Sequence, residues 1–207
     1  MPDSERHPRD TTHVIAETRA WVNRAVIGLN LCPFAKAVQV KGLVRYVVCD
    51  SKDSEVLHTQ MRDELDLLAS CPASDVETTL LIHPAALTDF TDFTLFLRQA
   101  DATLKRMGLV GTLQIASFHP DFQFADAEPD DIRNATNRAP YPTLHLLRES
   151  SIDRAVAAFP EAESIFERNM QTMEQLGESG WAKLQAECRQ DADSATGDPE
   201  NAEQDRI

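Results

Sequence analysis

The chain has 207 residues, 42% of them hydrophobic, which is enough to build one domain around a buried core. It carries 34 acidic against 20 basic residues, a formal net charge of −14. This argues against nucleic acid or an anionic membrane surface as the main partner, since both reward clustered Lys and Arg.

Part of the acidity is terminal. Residues 191–207 hold six acids and one Arg, leaving 28 acids against 19 bases in the body. The four cysteines, Cys32, Cys49, Cys71 and Cys188, form no C-x-x-C pair and no zinc-type spacing, as expected of a reducing compartment. The start, "MPDSERHPRD", has no apolar leader, and no stretch approaches the roughly 18 apolar residues of a membrane span, so a cytoplasmic location is expected. The expected organisation is a flexible N-terminus over 1–10, one α/β domain over 11–190 and an acidic disordered tail over 191–207.

In chain order, Val14, Ile15, Thr18, Val22, Ala25, Val26 and Leu29 recur at helical spacing and predict an amphipathic helix from Thr11 that ends near Gly28 to Asn30. "LCPFAKA" breaks it, because Pro33 pushes Cys32 out of helical geometry. "LVRYVVCD" (43–50) is β-branched and aromatic and predicts a strand. Ser51 can cap the following helix, with Leu57, Met61, Leu65 and Leu68 on its apolar stripe. "ETTLLIHP" (77–84) predicts a second strand, followed by a helix from Thr88 with Phe93, Leu97, Ala100, Leu104 and Met107 on one face and Gly108 as its stop signal. "GTLQIASF" is the third strand. This alternation is the pattern of an α/β fold: a small, largely parallel or mixed sheet of about four strands with helices packed on it.

"TLHLLRE" (143–149) fits a strand or a helix. The quartet from Ser150 to Asp153 resembles a capping box and favours a strand up to Glu149 with a helix beginning there. Pro160 and the stripe Ala162, Ile165, Phe166, Met170, Met173 and Leu176 predict a long helix ended by Gly177. Trp181, Leu184 and Cys188 predict a short final one.

Two strands share an ending, "LLIHP" and "ASFHP". If the first three strands are parallel, their C-terminal ends share one edge, the usual ligand side of open α/β sheets. His83 and His119 would then meet there with Asp121 beside them. Neutral imidazoles next to a carboxylate can ligate a divalent transition metal or move protons, so His83, His119 and Asp121 are the candidate metal ligands, and His119 and Asp121 also candidate catalytic groups. The alternative is that each His satisfies backbone groups where Pro halts a strand.

The stretch from His119 to Pro142 is 24 residues long, as active-site covers often are, and its aromatic residues point to an ordered loop. Asp130 and Asp131 after Pro129 could open a short helix. Asn137, Arg138 and Tyr141, with His145 and Arg148 in the next element, are candidates to bind a small polar or anionic molecule. Cys32, held between helix breakers, is the candidate for a thiol mechanism, and the other three cysteines are expected in the core.

Together, "LNLCPFAKAV", "TTLLIHP", "QIASFHPDFQFA" and "NRAPYPTLHLLRE" resemble a family of bacterial and plant proteins, the domain of unknown function numbered fourteen-fifteen. The resemblance spans roughly residues 14–185, with Ala139 standing where the motif carries Ser. It implies no activity, cofactor or catalytic residue.

The functional expectation is an enzyme acting on a small polar or anionic molecule, with metal-assisted hydrolysis preferred. The alternatives are a Cys32-dependent thiol enzyme and a non-catalytic module presenting its Phe-rich or Met-rich helix to a partner. The residues specify neither the substrate nor the oligomeric state.

Overall fold

A computed structural model describes residues 10–158 and 164–197. The expected flexible N-terminus before Asp10, Pro160 and Ala162 of the expected helix, and the acidic tail beyond Gly197 lie outside the described residues.

The first helix, α1 (Thr11–Trp21), is capped by Asp10, whose carboxylate accepts the Thr12 N–H. It runs into a widened π turn over Val22–Ile27, closed where the Gly28 N–H reaches the Asn23 carbonyl at 3.0 Å. Gly28 is needed there, since a Cβ would stand 2.2 Å from the Arg24 carbonyl oxygen. The break in "LCPFAKA" is real but brief, because a six-residue helix, α2 (Ala35–Val40), resumes after it.

Then come β1 (Val44–Val48), α3 (Ser54–Ser70), β2 (Thr78–Ile82), α4 (Phe90–Arg106), β3 (Leu113–Phe118), a 3-10 turn over Ile132–Asn137, β4 (Thr143–Arg148), α5 (Glu149–Ala158) and α6 (Ile165–Thr196). Asp53 caps α3 and Asp89 caps α4, in place of the Ser51 and Thr88 starts read from sequence, because their carboxylates reach the N–H groups two and three positions on. The ambiguous "TLHLLRE" is a strand that passes directly into a helix at Glu149. Gly177 ends the first helical segment of α6, as expected. Its backbone (φ 66°, ψ 173°) breaks the helix, which resumes and continues to Thr196, past the expected start of the tail.

The sheet is mixed, in the order β1-β2-β4-β3. β1 and β2 are parallel, and β4 lies antiparallel between β2 and β3. The first three strands therefore do point one way, but β3 pairs with β4 alone. Helices cover both faces. Leu80 and Ile82 meet Val14, Trp21, Met173, Trp181 and Leu184 of α1 and α6. On the other face, Leu81, Leu144 and Leu146 meet the stripes of α3 and α4. No described helix is long and apolar enough to cross a membrane.

Candidate functional site

The site is built by strand register. Ile82 of β2 and Phe118 of β3 both lie opposite Thr143, the first residue of β4. The residues that follow, His83 and His119, therefore flank the entry of β4. The His83 N–H bonds the Pro142 carbonyl at 3.0 Å and the His119 N–H bonds the Asn137 carbonyl at 3.3 Å. Alternation puts His83 on the face of Leu81, toward α4. There the Phe93 ring lies 5.6 Å from the His83 ring and 5.1 Å from that of His119. Both histidines are fully buried.

Their hydrogen bonds fix their tautomers. His83 Nδ1 lies 3.0 Å from the Ala86 carbonyl, which can only accept, so Nδ1 carries the proton and Nε2 holds a lone pair. That Nε2 is buried and has no partner. His119 is the reverse: Nδ1 accepts the Asp121 N–H at 3.0 Å, and Nε2–H donates to the Leu87 carbonyl at 3.2 Å. Burial, with a smaller contribution from neighbouring His119, pushes His83 down to a pKa of about 4. Burial also holds His119 below the usual range, against the raising influence of the Leu87 carbonyl, Asp121 and Asp89.

The two imidazoles thus pin consecutive carbonyls of the β2–α4 loop. That loop carries Leu87 at φ 51°, a left-handed backbone that is strained for a branched side chain. Asp89 closes the loop, its Oδ1 accepting from Thr91 and Asp92. The rings of Phe90 and Phe122 wall the outer side, with Phe90 5.3 Å from His119 and 5.5 Å from Phe122.

The stretch 119–142 is an ordered cover held by its own polar side chains. Asn134, fully buried, accepts the Phe124 N–H and donates to the Glu128 carbonyl. Arg138 donates to the Phe122 and Pro129 carbonyls at 3.2 and 2.7 Å. Asn137 offers its carbonyl to His119 and its side-chain oxygen to the Thr136 hydroxyl. Tyr141 donates its hydroxyl to Glu17 of α1, tying the Pro-Tyr-Pro unit to that helix.

The remaining candidates lie elsewhere. His145 pairs with Leu80 and so faces α1 and α6, across the sheet from the rim histidines. Its Nε2 bonds the Thr78 hydroxyl at 2.8 Å, and burial lowers its pKa to about 4. Arg148 ends β4 at the opposite edge, where it donates to the Cys71 and Val76 carbonyls. Cys32, partly accessible, sits in the turn after the π segment. Its N–H bonds the Val26 carbonyl, and Asn169 holds the neighbouring Leu31 carbonyl. Cys49 and Cys188 are buried, whereas Cys71 is partly accessible, with Arg148 Nη2 3.4 Å from its sulfur.

The structure brings His83 and His119 together on the Phe93 ring, with the backbone of Asp121 bonded to His119, and it separates Cys32, His145 and Arg148 from them. Among the described residues no group of three or more His, Cys, Asp or Glu side chains is placed to hold a metal ion.

Sequence reasoning missed Ala86, Leu87, Asp89 and Glu17. For the first two no signal exists, because their contribution is a carbonyl oxygen. Glu17 could have been found: it lies three residues after Val14 and four before Trp21, a carboxylate on an apolar stripe, and it is buried.

A family model described as "Protein of unknown function (DUF1415)" matches residues 13–183. No curated protein and no solved structure matches the chain.

Proposed function

The chain belongs to the DUF1415 family, and we propose that it is an enzyme acting on a small polar molecule at the strand C-terminal rim, where His83 accepts a hydrogen bond or proton from the substrate. The observation that carries this reading is the unpartnered, buried Nε2 of His83. Leaving such an atom unmatched costs about 1–3 kcal/mol; Thr79 Oγ1, earlier on the same strand, is also without a partner, but only the His83 atom lies at the rim, where a partner can be supplied from outside. Two further features support the reading. The atom lies at the carboxyl ends of β2 and β3, where open α/β sheets bind ligands. The loop over it is strained at Leu87, and strain of roughly 1–3 kcal/mol lowers the cost of moving that loop aside to admit a molecule.

In this scheme His119 is a positioning residue. With both nitrogens engaged by backbone, it fixes the β2–α4 loop through Leu87 and the start of the cover through Asp121. A metal-ligand role would require His119 to release one of those bonds, and no third donor stands ready among the described residues. Proton transfer by His83 requires neither.

The test is a screen of small polar compounds by thermal shift and by 15N NMR of the imidazoles, on wild type and His83→Gln. At least one compound should raise the wild-type melting temperature and move the His83 Nε2 resonance, with affinity falling about tenfold or more in the variant. If His83 responds to no compound, or a responding compound binds both proteins equally, the proposal is wrong.

A further inference from the structure

Resting on that reading of the rim, we infer that its ligand is a cationic hydrogen-bond donor, a small primary ammonium or amidinium compound, and not an anion. The argument is a count of donors and acceptors around His83 and His119.

The N–H donors there are already engaged. The His83 and His119 ring protons lie on the Ala86 and Leu87 carbonyls. The α4 amides at Thr91 and Asp92 point to the Asp89 carboxylate, which sets a negative group where an anion would otherwise bind the helix end. The Arg138 guanidinium is turned to the Phe122 and Pro129 carbonyls, and Arg133 is paired with the Asp131 carboxylate.

Acceptors, by contrast, are in excess. His83 presents a lone pair with no donor. The exposed carboxylates of Asp89 and Asp121 both act electrostatically on His119, whose Nδ1 is bonded by the Asp121 backbone, so negative charge stands at the outer side of the imidazoles. The Phe90 and Phe93 rings pack 5.3 and 5.1 Å from that of His119, and aromatic rings favour a cation over an anion that comes against them. A buried acceptor beside aromatic rings and carboxylates is complementary to an N–H-bearing cation and repels an anion. The chain's net charge of −14 acts in the same direction.

Two matched probes test this: benzylammonium and benzoate, each titrated into 15N-labelled wild type and into the Asp89→Asn/Asp121→Asn double variant. Asn still caps a helix, so the fold is expected to hold, and circular dichroism with a melting curve checks it. Benzylammonium should move the His83 Nε2 resonance and raise the melting temperature, and benzoate should do neither. In the double variant its affinity should fall about five- to tenfold, and added salt should weaken wild-type binding. A response to benzoate and not to benzylammonium overturns the inference and leaves the rim reading in place. So does silence to both probes combined with a response of His83 to an uncharged or anionic compound from the wider screen. Silence of His83 to every compound removes both.

Discussion

His83 and His119 follow two strands that run the same way on either side of β4 and share the same two letters, His-Pro, yet they hold opposite tautomers because the backbone offers one a carbonyl at Nδ1 and the other an N–H. The repeat and its rim position were legible in the sequence, since both follow from strand periodicity and Pro. Which nitrogen carries the proton was not, because that depends on where the Ala86 and Leu87 carbonyls fall. The same applies to Arg138 and Asn137: their residue types suggested ligand recognition, but the Arg138 guanidinium is taken by the Phe122 and Pro129 carbonyls and the Asn137 side-chain oxygen by the Thr136 hydroxyl. A prediction follows for His83. Its folded pKa of about 4 lies below the ordinary 6.5, so the unfolded chain takes up a proton that the folded protein refuses. The stabilisation is complete above pH 6.5 and is lost as pH falls from 6.5 toward 4. For the roughly 2.5 units involved this amounts to about 3 kcal/mol. His145 shifts in the same direction, also to about 4 and by burial, so it adds to the same window. Urea unfolding across this window should show stability falling with acid, and His83→Gln should flatten the slope by about one proton. An unchanged slope in that variant would show that His83 titrates normally.

At the level of elements, apolar periodicity located every strand and most helices, and the departures have local causes. The π turn after Trp21 depends on the Asn23 and Val26 carbonyls accepting from Gly28 and Cys32, which no side-chain pattern encodes. α6 was read as two helices because Gly177 looks like a stop, and that break is present: Gly177 takes a backbone conformation open essentially to glycine alone, and what departs is the length of the second segment, which runs on to Thr196. The bend lets the earlier segment place Met173 in the core while the later one lays Trp181, Leu184 and Cys188 against α1. Beyond the bend, Arg24 of the π turn reaches Asp191 and Glu187, which explains why the helix continues into residues that composition alone assigned to a tail. Gly177→Ala should destabilise the protein by about 1–3 kcal/mol through backbone strain. No atom lies within 4 Å of the added Cβ, so the loss cannot come from a clash. Equilibrium unfolding measures it, and a variant as stable as wild type would mean that the bend is relaxed.

For the whole molecule, the α/β class and a sheet of about four strands were readable from the alternation of patterns, but strand order was not. Alternating β and α segments suggest neighbouring parallel strands, whereas here the last strand enters antiparallel between the second and third. The reason lies in burial. Leu144 and Leu146 give β4 an apolar side facing α3 and α4, and the central slot lets it pair on both edges. The insertion also sets a timetable. Among the described residues β3 has no strand partner except β4, so during synthesis residues 113–118 must wait until 143–148 have left the ribosome. Until then β1 and β2 can pair, but the His119 side of the rim has nothing to form against. Pulsed hydrogen exchange during refolding should therefore show β3 amides gaining protection together with β4 and never before it. Protection of β3 ahead of β4 would contradict this. A ribosome stalled anywhere before Thr143 would present half a sheet with an unpaired β2 edge, so the most exposed moment in the life of this protein is set by the place of one late strand.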